Sequence, residues 1–428
     1  LHFPGHRIAK HYFPVSQKAT RGIERDSGPG RTWYLLGLDQ VLSDMEVHGT
    51  DNLPGEFGLI PGESVVLDEK SFRQLLDRLS ASGLRITCAA GGTVANTLNN
   101  YTFLSGEPAM LLGAIQSDIQ VGQPAFHYVA QTPGLVDLGR LIPIKGSTGS
   151  AITFVGPDGE RSFAVAPGVS NQYPPSAVEE KVVAGASVAL TTLYCLRDPD
   201  TPIASASLKL MELARGNGVP LALGLGTAAL VRNRRQQVID LLRRFVTVAA
   251  MNDQEALALT GQDDALLACR TILDLVDLVI ITEGPRGLTM GGFVDKDYRR
   301  ETDGEVRSKS IPDYNRWEYS RMMRRADCRD PQKVYSHIHP YRGGPERLSN
   351  TSGAGDAALA AVLHDIAANQ YHRSSVPDSS KHMAPVPFLT YSSLSRNAQY
   401  GNRVAYEVLQ GNSPRLHGPV GPDQLERD

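Results

Sequence analysis

From residue 187 onward the chain alternates short, unbroken apolar runs with stretches of helix length. The runs occupy residues 187–192, 219–223, 246–250 and 278–282. A strand that is apolar at every position is buried on both faces, and the intervening lengths suit crossover helices. The pattern predicts an α/β fold with a mostly parallel sheet covered by helices on both sides. Ligands of such sheets bind beyond the carboxyl ends of the strands.

Upstream the pattern is more mixed. Residues 33–38 and 110–115 are apolar runs punctuated by Gly37 and Gly113, and they predict two further strands. Between them Phe72, Leu75, Leu76 and Leu79 recur at helical spacing, with Asp68 as N-cap and Gly83 as the stop. Residues 152–165 read as two alternating arms around a Pro-Asp-Gly turn, a β-hairpin. Two stretches break the rhythm. Residues 295–348 are polar and arginine-rich (Arg316, Arg321, Arg324, Arg325, Arg329, Arg342), and residues 370–388 are rich in Ser, His and Pro. Both exceed ordinary connections and read as insertions beside the site, or segments ordered by a ligand. The arginines fit a solvated basic face or a place for a phosphate-bearing nucleotide. Residues 1–30 read as an irregular arm and residues 31–428 as one domain.

Composition narrows the classes. A formal net charge of −3 over 428 residues disfavours a general nucleic-acid binder. No apolar stretch approaches the length of a membrane span, and the first residues carry no apolar core, so a cytoplasmic location is the expectation. The four cysteines (Cys88, Cys195, Cys269, Cys328) form no CxxC pair and read as free thiols, away from any metal.

The most informative chemistry lies at Asn350-Thr351-Ser352-Gly353-Ala354-Gly355-Asp356, which runs straight into a series of good helix formers. Small residues followed by one carboxylate at a helix start offer outward-pointing amides and a positive dipole end, a suitable cradle for a phosphoryl group. Asp356 also suits a plain helix cap. Four other segments matter: residues 37–45, ending in Asp44-Met45; Gly91-Gly92-Thr93-Val94-Ala95-Asn96; Asn252-Asp253-Gln254-Glu255, whose ends share one helical face; and Thr282-Glu283-Gly284-Pro285-Arg286-Gly287. There is no Gly-x-x-x-x-Gly-Lys-Ser/Thr loop, and no His-Arg-Asp loop with Asp-Phe-Gly, so neither a P-loop nor a protein-kinase site is present in the sequence.

These five segments, in this order, resemble the ribokinase-type carbohydrate and nucleoside kinases (the PfkB family), and most of all its inosine- and guanosine-phosphorylating branch. The resemblance spans nearly the whole chain. It implies a ribokinase-like three-layer α/β/α sandwich with a small β-sheet lid, here from residues near 45–65 and 148–168. It implies that Asp44 accepts hydrogen bonds from two sugar hydroxyls, within a substrate loop holding Asp39 and Gln40. Gly91, Gly92, Thr93 and Asn96 would line the ribose, and Arg197 is a further candidate for substrate or phosphate. Asn252 and Glu255 would place Mg²⁺ through its waters. Thr282, Gly284 and Gly287 would lie beneath the triphosphate of ATP, and Asn402 beside its adenine. Asp356 would be the general base, with Gly353, Ala354 and Gly355 shaping the anion hole. Phe154, Arg161 and Phe163 of the hairpin would line the acceptor pocket, although aromatics alternating in a hairpin are more often the core of the lid. Asp39 stands where the family usually has Gly, and Asn350 where it usually has Asp. The implied reaction is ATP-dependent phosphorylation of inosine and guanosine to IMP and GMP by a homodimer, with an anionic purine nucleotide as a possible regulator at the arginine-rich insertion. An adenosine or pentose kinase, or a retired kinase that only senses nucleotide, remain the alternatives.

Overall fold

The computed structural model describes residues 33–416 except 49–52, 61–63, 85, 156–160, 303–308, 347–351, 376, 380, 383–385 and 412. The irregular arm, the hairpin tip, Asn350 and Thr351 therefore lie outside the described residues, as does the Arg161 side chain.

Two sheets account for the described strands. The smaller contains β2 (Leu42–His48), β3 (Ser64–Val66), β4 (Ile86–Ala90), β8 (Gly149–Val155) and β9 (Arg161–Ala166), in the order β3-β9-β8-β2-β4. The larger is built on β1 (Leu35–Leu38), β5 (Ala109–Gln116), β10 (Val188–Thr192), β11 (Leu221–Gly224), β12 (Val248–Asn252) and β13 (Leu278–Thr282), all paired in parallel. Short β6 (Val136–Asp137) and β7 (Leu141–Ile144) flank β5. At the other edge β14 (Leu288–Asp295), β15 (Arg321–Met323), β16 (Pro331–Ile338) and β17 (Phe388–Ser393) continue the sheet antiparallel.

Alternation along the central strands sends neighbouring residues into two separate cores. Leu36, Ala189, Leu223, Ala249 and Ile281 join one cluster, which is closed by the helices Pro202–Gly216, Arg235–Phe245 and Ala265–Ile272. Leu35, Leu190, Ala222, Val248 and Ile280 join the other, with Leu98, Leu363, Ile366 and Val404 from three further helices. Both sets are apolar because both faces are covered, which is the physical origin of the unbroken runs in the sequence. Among the described residues no helix is long and apolar enough to cross a membrane.

The smaller sheet has one packed face. Met45, Val47, Ile152, Phe154 and Ala164 form a core with Phe72, Leu75 and Leu79 of the helix Glu69–Ala81, hereafter α1. Asp68 caps α1 as expected, accepting from the Ser71 amide at 2.8 Å. The registers Asp44↔Ala151, Thr153↔Phe163 and Ala151↔Val165 put those residues on the opposite face. Of the two readings of Phe154 the structure takes the core one: it is only 2 % exposed and belongs to the packed face, away from any acceptor pocket. Phe163 shares the face of Asp44.

The arginine-rich stretch is no loose appendage. It supplies β15 and β16, and Arg321 is a half-buried crosslink, not part of a solvated face. Its guanidinium donates to the Thr390 carbonyl (3.0 Å), the Lys381 carbonyl (2.9 Å) and Asn369 Oδ1 (2.6 Å). Arg316 pairs with Glu301, and Arg324 donates to the Gly218 carbonyl. The serine- and histidine-rich stretch begins inside a helix that runs to Ser375.

Candidate active site

Asp39, Gln40, Arg197, Asn252, Glu255 and the turn from Thr282 to Gly287 sit at or just beyond the carboxyl ends of the parallel strands β1, β10, β12 and β13. The first group follows β1. Asp39 is turned toward the start of the helix Thr93–Ser105, hereafter α2, where it accepts from the amides of Val94 (2.9 Å) and Ala95 (3.2 Å) as well as Gln40 (2.9 Å). It is a helix-capping carboxylate, 2 % exposed, and burial lifts its pKa to about 7 against those amide bonds. The Gln40 side-chain amide donates to Asn171 Oδ1 at 2.5 Å.

Asp44 lies within β2, on the unpacked face of the small sheet. Its carboxylate presses on Gly91, where any Cβ would fall 2.0 Å from Asp44 Cγ. Gly91 is thus required by the acid beside it, and Gly92 likewise faces Asp39 Oδ2 at 2.7 Å. Burial raises Asp44 to about 7; the positive charge of Arg415 opposes the shift and Glu46 adds to it.

The second group starts the long helix Ala354–Ser375, hereafter α3, as the motif predicted. Gly353 has φ +79° and holds Pro414 so closely that a Cβ would stand 2.4 Å from the Pro414 carbonyl oxygen. That left-handed step turns the chain into the helix, with Ala357 N donating back to the Gly353 carbonyl at 2.8 Å. The amides of Ala354, Gly355 and Asp356 belong to the first turn, which has no helical acceptors of its own. Asp356 Oδ2 accepts from Asn96 Nδ2 at 3.2 Å. Burial raises its pKa to about 8; the Asn96 bond opposes this and the charges of Asp39 and Asp44 reinforce it. Asp39, Asp44, Asn96, Gly91 and Asp356 are therefore one cluster, drawn from three separate segments.

The third group lies beside it. Asn252 caps the helix Asp253–Thr260: its Oδ1 accepts from Glu255 N at 2.8 Å, while Glu255 accepts from Asn252 N (3.2 Å) and from Asn252 Nδ2 (2.8 Å). Glu255 is buried and lifted to about 7 by that burial. Thr282 pairs with Asn252 across β12 and β13, and its hydroxyl reaches the Met251 carbonyl at 3.5 Å. Gly284 and Gly287 bracket the short turn that follows, which Arg286 ties to Asp253. Tyr194 joins the groups. Its buried phenol, bonded to the Gly226 carbonyl at 3.0 Å, feels the charges of Glu255, Asp356 and Asp39.

Two candidates point elsewhere. Arg197 donates to Ser64 Oγ at 2.9 Å, joining the main body to the edge strand of the small sheet. Asn402 donates to the His339 carbonyl at 2.6 Å and accepts from the Tyr341 amide, so it shapes the chain at residues 339–341. One residue with a strong claim has no role in the sequence reading, although the family resemblance extends to it: Arg415, 6 % exposed, donates from Nε to Asn96 Oδ1 at 2.8 Å and from Nη2 to the Gly91 carbonyl at 3.1 Å. No spacing or composition near the end of the chain marks it.

The chain is 42% identical to the guanosine-inosine kinase of Escherichia coli (strain K12) over an alignment of 431 positions, which covers 100% of this chain and 99% of that protein. The guanosine-inosine kinase of Escherichia coli O157:H7 matches to the same extent. Among solved structures, adenosine kinase from Sinorhizobium meliloti superposes with a TM-score of 0.68 at 21% identity, covering 93% of this chain and 100% of that one. A probable sugar kinase from Rhizobium etli CFN 42 gives a TM-score of 0.68 at 20% identity, over 93% and 99%. No family model matches. The structural likenesses establish the ribokinase-like fold, and with full-length sequence identity beside them the chain belongs to the guanosine-inosine kinase family.

Proposed function

We propose that the protein transfers the γ-phosphoryl group of ATP to the 5′-hydroxyl of guanosine and inosine, giving GMP and IMP. The observation that carries this reading is a carboxylate in the first turn of a 22-residue helix, bonded to Asn96 and clustered with Asp44. Phosphoryl transfer needs mainly alignment and charge stabilisation. Asp44 can accept from both hydroxyls of a cis diol at once, which fixes the ribose. Asp356 then takes the proton of the 5′-hydroxyl while the new O–P bond forms and the bond to the β-phosphate oxygen breaks. The amides of residues 354–356 bond the equatorial oxygens as their charge grows. The small sheet covers the acceptor and keeps water from competing.

A magnesium ion suits this chemistry. Among the described residues no group of three or more His, Cys, Asp or Glu is disposed to hold a metal. A single buried carboxylate beside a phosphate cradle fits an ion that keeps most of its waters. Glu255, steadied by Asn252, would hold that hydrated ion, which when bound neutralises polyphosphate charge.

The test is an acceptor panel of guanosine, inosine, adenosine and ribose with ATP and Mg²⁺, read by ADP release and product identity. Phosphorylation of the first two is expected. Turnover confined to adenosine or ribose would reassign the acceptor, and nucleotide binding without any ADP release would make the protein a sensor.

A further inference from the structure

The short segment of residues 413–416 closes over the site from far along the chain. Leu416 N donates to Asn100 Oδ1 of α2 at 2.8 Å, and Pro414 rests on Gly353 at the start of α3. This delivers Arg415 into the interior between α2 and the turn at Gly91. Its guanidinium is a donor only, so Asn96 must face it with Oδ1 and therefore presents Nδ2 to Asp356. A free Asn amide could sit either way round; here the arginine selects the orientation that offers Asp356 a donor. The same guanidinium holds the carbonyl of Gly91, the glycine whose α-carbon the Asp44 carboxylate lies against. Arg415 thus touches the supports of both acids, the one suited to a sugar diol and the one suited to a primary hydroxyl.

We propose that Arg415 is a positioning residue for phosphoryl transfer: through Asn96 it aims and keeps ionisable the carboxylate of Asp356, and it counters the negative charge gathered around the acceptor. The inference rests on the base role given to Asp356 above. Three acids crowd the spot, Asp39 from the β1–β2 loop, Asp44 from β2 and Asp356 from α3. Facing them are Arg415 itself, the Tyr128 phenol and, from the strand-end loop after β10, the Tyr194 phenol. The arginine's positive charge lowers the carboxylates it faces, Asp356 and Asp44 among them. The Tyr128 ring lies beside the guanidinium, its centroid 6.0 Å from Arg415 Cζ, and carries no ionised group that would cancel the arginine's charge.

The experiment compares Arg415→Met, Arg415→Lys, Asn96→Ala and the double variant Arg415→Met/Asn96→Ala in the full chain, by kcat and KM across pH. Arg415→Met should lower kcat roughly 10- to 100-fold, a share of the 10²–10⁴ typical of general-base help. The acid limb of its kcat profile should move to higher pH, with KM for ATP little changed. Arg415→Lys keeps a charge without the two-pronged bond, so the limb should stay near its original position while kcat still falls. The double variant should be no worse than the poorer single one, because both cut the same relay. An acid limb that stays put in Arg415→Met, or losses that multiply in the double variant, would overturn the proposal. Should Arg415→Met not fold, Asn96→Ala must by itself move the limb upward; a stationary limb there has the same overturning force. Asp356→Asn separates the two claims. Near-normal turnover in that variant removes the base role itself, whereas an inert Asp356→Asn with an unmoved limb in Arg415→Met removes only the role of Arg415.

Discussion

Asp356 is placed where folding and turnover ask opposite things of one carboxyl group. Burial raises it to about 8, and Asp39 and Asp44 to about 7. An acid whose folded pKa exceeds its unfolded one binds more protons in the folded state. Its contribution is therefore fully present below the unfolded value near 4 and is lost as pH rises through the folded value. A base needs the ionised form, so kcat/KM should climb through about pH 8 while the melting temperature declines over the same interval. Asp356→Asn removes the conflict. It should cut kcat by about 10²–10⁴-fold and raise Tm at pH 8 by about 1–3 °C. Paired activity and thermal-melt measurements check this, and a variant that loses both activity and stability would show that the carboxylate supports the fold. Asp356 and Asp44 are legible in the sequence because each ends or opens a recognisable segment. Asp39 is not so easily read: it lies in the loop just before the strand that carries Asp44, and only its contact with the amides of Val94 and Ala95 makes it a cap.

At the scale of elements, the lid has a small core of its own. Phe154 packs there with Phe72, Leu75 and Leu79, separate from the two cores of the main sandwich. Truncating such a residue typically costs about 3–5 kcal/mol, and here that cost falls on the lid alone. Phe154→Ala should raise KM for the nucleoside about tenfold or more, leave KM for ATP within about threefold, and hardly alter the main unfolding transition. Equal rises in both constants would argue against the separation. Strands β10 to β13 were readable because both their faces are apolar. β2 is not, since Asp44 and Glu46 lie on its unpacked face and Ser43 breaks the apolar pattern of its packed one. β15 and β16 are hidden because β15 opens on Arg321 and β16 mixes polar residues with few apolar ones, and nothing local distinguishes the half-buried Arg321 from its solvated neighbours.

Across the whole molecule, α3 starts at the proposed phosphoryl site, and Asn369 lies about 20 Å further along it. There Arg321 binds Asn369, Lys381 and Thr390 and so ties the far end of α3 to β15 and β17. Burial lowers the Arg321 pKa to about 10, which marks a cation withdrawn from solvent and held by its carbonyl partners. Arg321→Met should lower Tm by a few degrees, with kcat and both KM values unchanged. A fall in kcat at unchanged Tm would reveal that this end of the molecule communicates with the site.

The order of the five segments and the apolar runs between them specify a layered α/β kinase, because those features are local: each depends on residues within one strand, turn or helix. The relay from Arg415 through Asn96 to Asp356 has no such local trace. Arg415 and Asn96 are 319 residues apart, and Asn96 and Asp356 are 260 apart. A hydrogen bond between side chains leaves no periodicity in either segment, so these partners become visible only when the packed sheets bring the three segments together.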